Sequence, residues 1–169
     1  HGETSASLLP TASRGTEVVA LVPAAQLSWH QVKLPKGVGA QSPKLRAVLE
    51  GLLEDRLLTE PAHTHFAIAP QPDEAGQTWV AACARDALRQ QLQALDAARH
   101  TVTRIVPEMA PEAGPLRVHV GGDADAPWLL ATGAGIEGVR RLPLSATALR
   151  LLPPLDGENT RITAEPAVA

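Results

Sequence analysis

Thr78-Trp79-Val80-Ala81-Ala82-Cys83-Ala84-Arg85, continued by Leu88, Leu92 and Leu95, is the stretch that decides the class of this chain. Thr78 to Ala82 is a short apolar run of the kind a buried strand requires. From Arg85 to Ala98 the spacing changes, and Ala84, Leu88, Leu92 and Leu95 fall on one helical stripe. Upstream, Phe66-Ala67-Ile68-Ala69 reads as a second strand, joined to the first by the polar loop Gln71–Gln77 as a hairpin. Strand, strand and helix in succession make an α/β or α+β domain.

The same reading extends outward in both directions. Val18-Val19-Ala20-Leu21-Val22 is an apolar strand stopped by Pro23. Leu27 to Leu34 alternates, with Leu27, Trp29, Gln31 and Lys33 on one face and Ser28, His30, Val32 and Leu34 on the other, until Pro35 ends it. Ser42-Pro43 opens a helix whose apolar residues Leu45, Val48, Leu49, Leu52, Leu53 and Leu57 continue through Leu58. Downstream, Thr101 to Val106 is strand-like and closes at Pro107. Pro111–Pro115 is a turn-rich break. Beyond it come strands at Leu116–Val120, Trp128–Ala131 and Ile136–Leu142, then a short helix, Ala146–Leu152. The expected organisation is a flexible segment over 1–16, helical only around Ser7–Leu9, a first α/β lobe over 17–110, the start of a second, β-rich lobe over 111–154, and an aperiodic tail over 155–169.

Composition narrows the function. The 169 residues are 44% hydrophobic and 20% charged, with a net charge of -3, a balance that favours neither nucleic acid nor an anionic membrane surface. No run approaches the ~20 apolar residues of a membrane helix. One Cys excludes an intrachain disulfide framework and leans toward an intracellular setting. With no Tyr and a single Phe, aromatic platforms for single-stranded nucleic acid or sugar are scarce. The opening His1-Gly2-Glu3, without an initiator Met, reads as a cut end and is assigned no function.

Four constellations invite chemistry. Gly133-Ala134-Gly135-Ile136-Glu137-Gly138 matches G-x-G-x-x-G, with Asp156 downstream as a ribose-binding acid, but Val139-Arg140-Arg141-Leu142-Pro143 is too short to be the helix that must receive the pyrophosphate. A tight turn between antiparallel strands is the better reading. His63 and His65, with Cys83 or Glu54, supply too few ligands in no metal-binding spacing, and surface or half-buried histidines explain them. Cys83, between strand and helix, lacks a companion base and reads as a small buried residue. Glu50, Glu54 and Asp55, with Arg46 and Arg56, form either a solvated helix face or a partner-binding one. No catalytic, cofactor-binding or metal-binding residue is assigned.

Three consecutive stretches resemble the cytoplasmic domain of type II secretion system protein L (general secretion pathway protein L). They are Val18-Val19-Ala20-Leu21-Val22-Pro23-Ala24 followed by Val32-Lys33-Leu34-Pro35; Leu45 to Leu57 with Leu53-Glu54-Asp55-Arg56-Leu57 and then His65-Phe66-Ala67; and Trp79 to Arg85 leading into Leu88–Leu95, with Val102 to Pro107 as the return strand. In order and spacing the resemblance spans roughly residues 15–150.

The resemblance implies an actin-like (RNase H-like) fold, with mixed sheets flanked by helices, present here in part. It implies a non-catalytic scaffold that binds the N-terminal domain of the secretion ATPase, protein E, at the cytoplasmic face of the bacterial inner membrane. The full-length protein pairs with protein M and other platform proteins, and a homodimer is a further possibility. On the family pattern the first strand region, the membrane helix and the periplasmic domain lie outside this chain, which makes it an excised domain or a shorter relative. Glu50, Glu54, Asp55 and Arg56 are the residues expected to meet the ATPase, because a mixed-charge face on a rigid helix suits a steered interface. The rival reading, of a different class, is an actin-like nucleotide-binding or nucleotide-hydrolysing protein. It rests on Gly121, Gly122, Asp123 and Asp125 at the turn of the Leu116–Ala131 hairpin and on the Gly133–Gly138 turn.

Overall fold

The computed structural model describes residues 9–10, 15–166 and 168. The expectation of an N-terminal segment helical around Ser7–Leu9 falls almost wholly outside them. The chain divides into two compact units, one built on Gln26–Pro107 with the strand ending at Val22, the other on the chain from Glu108 onward with Pro23–Ala25. Both are mixed α/β: three sheets and few helices in all, among the described residues.

In the first unit β2 (Ser28–Val32), β3 (Thr64–Ile68) and β4 (Thr78–Ala84) form an antiparallel sheet in the order β2-β4-β3. Alternation along β2 has the expected sense, with His30 and Val32 buried. On that face the sheet receives α1 (Leu45–Leu53), whose Leu49 and Leu53 are fully buried against Val32 and Val80. Each such leucine contributes about 1.5–3 kcal/mol of burial free energy. The opposite face carries α2 (Arg85–Ala97), which follows β4 without a loop and of which only Leu88 is buried. A separate two-stranded parallel sheet pairs β1 (Val19–Val22) with β5 (Arg104–Pro107), Val19 opposite Arg104 and Val22 opposite Pro107.

The second unit is a four-stranded sheet in the order β8-β7-β6-β9, built from β6 (Leu116–Asp123), β7 (Ala126–Thr132), β8 (Arg140–Pro143) and β9 (Thr160–Ala164). One face packs Leu116, Val118, Leu129 and Ala131 against Leu152. The short helix α3 (Ala146–Leu149) is capped by Ser145, whose Oγ accepts the amide of Ala148 at 3.1 Å.

Several expectations need correction. The helix expected to run through Leu58 ends at Leu53 and tightens into a 3-10 turn over Glu54–Arg56. Acidic side chains at a helix C-terminus oppose its dipole, and nothing basic stands in the last turn of α1 to offset them. Ser42 does not cap α1; it accepts the amide of Lys44 at 3.3 Å in the preceding turn. The strand expected from Ile136 starts at Arg140, because Ile136 closes a turn onto Gly133. The 155–169 segment is not wholly aperiodic tail: β9 pairs in parallel with β6, Leu116 opposite Thr160 through Val120 opposite Ala164. Its side chains are largely exposed, so no apolar pattern announces it and backbone pairing with β6 places it.

Replacing Leu53 by Ala empties the centre of the first unit's core. It should cost about 2–5 kcal/mol in urea denaturation, whereas Leu58→Ala should stay within about 0.5 kcal/mol.

Candidate functional site

Beyond the end of α1 at Leu53, Leu57 still packs against the core while its neighbours turn outward. Glu54, Asp55 and Arg56 are exposed, and Leu58 is the most exposed large apolar side chain among the described residues, at 108%. Leu52, at 42%, lies on the outer face of α1 just before the turn. The turn is tied down on both sides. Arg56 Nη1 donates to the carbonyl of Gln31 on the edge strand β2 at 3.0 Å. Arg46 pairs with Glu50 at 2.8 Å and also donates to the carbonyls of Pro61 and Thr64.

Of the four residues expected to face a partner, two therefore serve the fold: Glu50 holds Arg46, and Arg56 braces β2. Glu54 and Asp55 remain with their carboxylates toward solvent, beside Leu58. Sequence reasoning missed Leu58, because helical spacing continued through it suggested an ordinary position on the helix.

The other constellations resolve into structure. His65 and Cys83 are cross-strand neighbours, whereas His63 sits in a 3-10 turn, 3.8 Å from Glu60, and Glu54 belongs to the turn after α1. Among the described residues no group of three or more metal-ligating side chains gathers. Burial pushes the Cys83 thiol up, the wrong direction for a nucleophile.

Gly133 adopts φ +98°, and a Cβ there would lie 2.2 Å from the Pro115 carbonyl oxygen. A Cβ on Gly135 would strike Pro153 at 2.6 Å. These glycines serve a close-packed turn, and the next element is β8, not a helix. Asp156 spends its carboxylate locally, accepting from the Glu158 amide at 3.1 Å and from Asn159 Nδ2 at 3.2 Å. The Gly121-Gly122 pair lies in β6, where the Trp128 indole covers it: a Cβ on Gly121 would stand 2.6 Å from the ring. The space a phosphate would need above these glycines is occupied by that ring.

Around Trp128 the second unit assembles a cluster the sequence did not announce. Arg141 lies over the indole at 5.2 Å, the His119 ring stands tilted to it at 6.0 Å, and His119 Nδ1 bonds Thr163 Oγ1 at 2.9 Å. His119 Nε2 lies 3.8 Å from Glu165, which accepts the Gly122 amide. Four strands thus meet through side chains, and the cluster seals β9 to the sheet.

His30 is buried beneath α1, its Nε2 3.0 Å from Ser28 Oγ. Burial first, and the Arg56 charge second, hold its pKa below the usual 6.5. As pH falls through 6.5 the unfolded chain therefore takes up a proton before the folded one does, and stability declines. His65, lowered first by burial and then by Arg85 and Arg46, adds to the same limb, so stability should be level above about pH 7.5 and fall between about pH 7 and pH 5, and in urea titrations at each pH His30→Asn should make that limb shallower without abolishing it.

Comparison with known proteins now bears on these observations. The family model of type II secretion system protein L matches residues 3–113. A solved structure, the cytoplasmic domain of EpsL, an inner-membrane component of the type II secretion system of Vibrio cholerae, superposes with a TM-score of 0.60 at 23% identity. The match covers 92% of this chain and 65% of that one, so this chain spans less than two thirds of that solved structure's length. Comparison with curated proteins gave no match. No helix among the described residues is long and apolar enough to cross a membrane. With the family match extending over well more than half its length, the chain belongs to the type II secretion system protein L family and is a component of that protein-secretion machinery.

Proposed function

We propose that this chain is a non-catalytic scaffold at the cytoplasmic face of the bacterial inner membrane, binding the N-terminal domain of the secretion ATPase, protein E, and tethering it for protein export. In this reading the fold is a partial actin-like arrangement of mixed sheets and flanking helices, and protein M and other platform proteins are reached through the full-length protein. The observation that carries the reading is the braced turn after α1, where Glu54 and Asp55 stand beside the fully exposed Leu58. An exposed apolar side chain following two exposed carboxylates in a braced turn has the composition of a steered protein interface. The family membership supplies the context. The rival nucleotide-binding reading loses support where Trp128 fills the glycine hairpin.

Calorimetric titration with the ATPase N-terminal domain from the same source tests this. Glu54→Lys with Asp55→Lys should weaken binding at least about tenfold, or about 1.4 kcal/mol, and steepen its response to salt. Absence of binding by the unaltered chain well above micromolar concentration would remove the proposal.

A thermal melt across millimolar Mg-ATP should show no shift. Bound nucleotide at a hundredfold excess over its Kd would add about 2.7 kcal/mol and be plain in the curve.

A further inference from the structure

We infer that His30 and Arg56 make the turn carrying Glu54, Asp55 and Leu58 a proton-sensitive element: a proton taken up by the buried imidazole sets like charge against the guanidinium that ties the turn to β2.

The turn is held to the first unit at two points. Leu57 packs, partly buried, against the cluster of Val32, Leu49, Leu53 and Val80. Arg56 Nη1 donates to the Gln31 carbonyl at 3.0 Å, at an exposed position where water competes for both groups. Local opening costs least where exposed bonds of this kind do the fastening, so the Arg56 end is the one that gives. Gln31 follows His30 directly on the edge strand β2. The tether therefore ends one residue from a histidine that is only 8% exposed.

A buried imidazole has little water to disperse an added charge, so its charged neighbours decide what a proton there does. His30 shares the α1 side of the sheet with Val32 and lies opposite Val80 of β4. The titratable group of β4 is Cys83, which lines the cavity on the α2 side together with His65 of β3. The charged residues of α1 are Arg46 and Glu50. They pair at 2.8 Å, and Arg46 reaches the Pro61 and Thr64 carbonyls at the β3 side of the sheet, away from β2. The turn itself supplies the exposed Glu54, Asp55 and Arg56. Ser28 Oγ, 3.0 Å from His30 Nε2, is neutral and serves either protonation state. Of all these groups Arg56 is the charge that His30 feels: burial first, and Arg56 second, lower its pKa from 6.5.

The repulsion is mutual. Whatever Arg56 adds to the cost of a proton on His30, that proton adds to the cost of keeping Arg56 on Gln31. Releasing the carbonyl carries the guanidinium into water and relieves both. Above the His30 midpoint the turn is held to β2; below it the turn opens, and Glu54, Asp55 and Leu58 lose their fixed arrangement. The consequence for the ATPase rests on the function proposed above, whereas the coupling belongs to the chain alone.

Two measurements on the unliganded chain test it. NMR titration of the His30 imidazole should give a midpoint below 6.5 that rises in Arg56→Gln. Hydrogen exchange, referenced at each pH to the unfolded chain, should show protection over residues 54–58 falling at least about threefold relative to residues 49–53 between about pH 7.5 and about pH 5. The two are linked, since each pH unit by which Arg56→Gln raises the midpoint corresponds to about a tenfold gain in turn opening on protonation. His30→Asn should keep the protection of residues 54–58 level across that range, and Arg56→Gln should leave it low at both ends. Arg56 is exposed, so its replacement keeps the fold, and the midpoint it yields is one that no loss of core packing in His30→Asn can imitate. A midpoint unmoved by Arg56→Gln, or exchange over residues 54–58 that follows pH equally in His30→Asn, overturns the inference. Affinity for the ATPase N-terminal domain should fall more steeply toward about pH 5.5 in the unaltered chain than in His30→Asn. Failure to bind at every pH removes the ATPase reading and leaves the coupling standing.

Discussion

The packing of Leu49 and Leu53 onto Val32 and Val80 is the constraint from which the first unit follows. It sets α1 against one face of the β2-β4-β3 sheet and determines where the helix has finished its work. Past Leu53 only Leu57 still reaches that core, and the acidic pair Glu54-Asp55 stands where the helix dipole disfavours it. The chain tightens, Arg56 reaches the Gln31 carbonyl, and Leu58 is thrown outward. Helix termination, edge-strand protection and the exposure of an apolar side chain are thus one event seen from three sides.

Glycine plays the corresponding part in the second unit. Gly121 and Gly122 admit the Trp128 ring, and Gly133 and Gly135 admit Pro115 and Pro153, at distances no side chain would tolerate. A string of glycines in a sequence states that something comes close without stating what. Here the visitors are the protein's own rings and backbone.

The exposed apolar residues of the first unit gather at a few places on its surface. Leu58 and Leu52 after and on α1, Leu21 on β1, and Ile105 with the partly exposed Leu92 on the α2 side are among the places where the first unit leaves apolar surface unspent. Neither side carries a gathered set of catalytic or metal-ligating groups among the described residues. The polar cluster around Trp128 is internally matched, cation to ring and imidazole to hydroxyl, which makes it a fastening for β9.

The elements with strong periodicity are legible in the sequence: β1, β2, the β3–β4 hairpin, α2 and the β6–β7 hairpin lie within a few residues of where alternation and helical spacing put them. Those patterns come from burial on one face, and a face is encoded locally. What local pattern cannot encode is pairing at a distance. β9 has largely exposed side chains and is placed by the backbone edge that β6 offers and by the Thr163–His119 bond, and the parallel match of β1 with β5 joins segments separated by the whole β2–β4 sheet. The same holds for the candidate interface. Its charges are visible in the sequence, but the tertiary structure decides that Arg56 and Glu50 are engaged internally while Glu54, Asp55 and Leu58 are not. Side-chain availability is set by what long-range folding brings within hydrogen-bond reach, and no local periodicity carries that information.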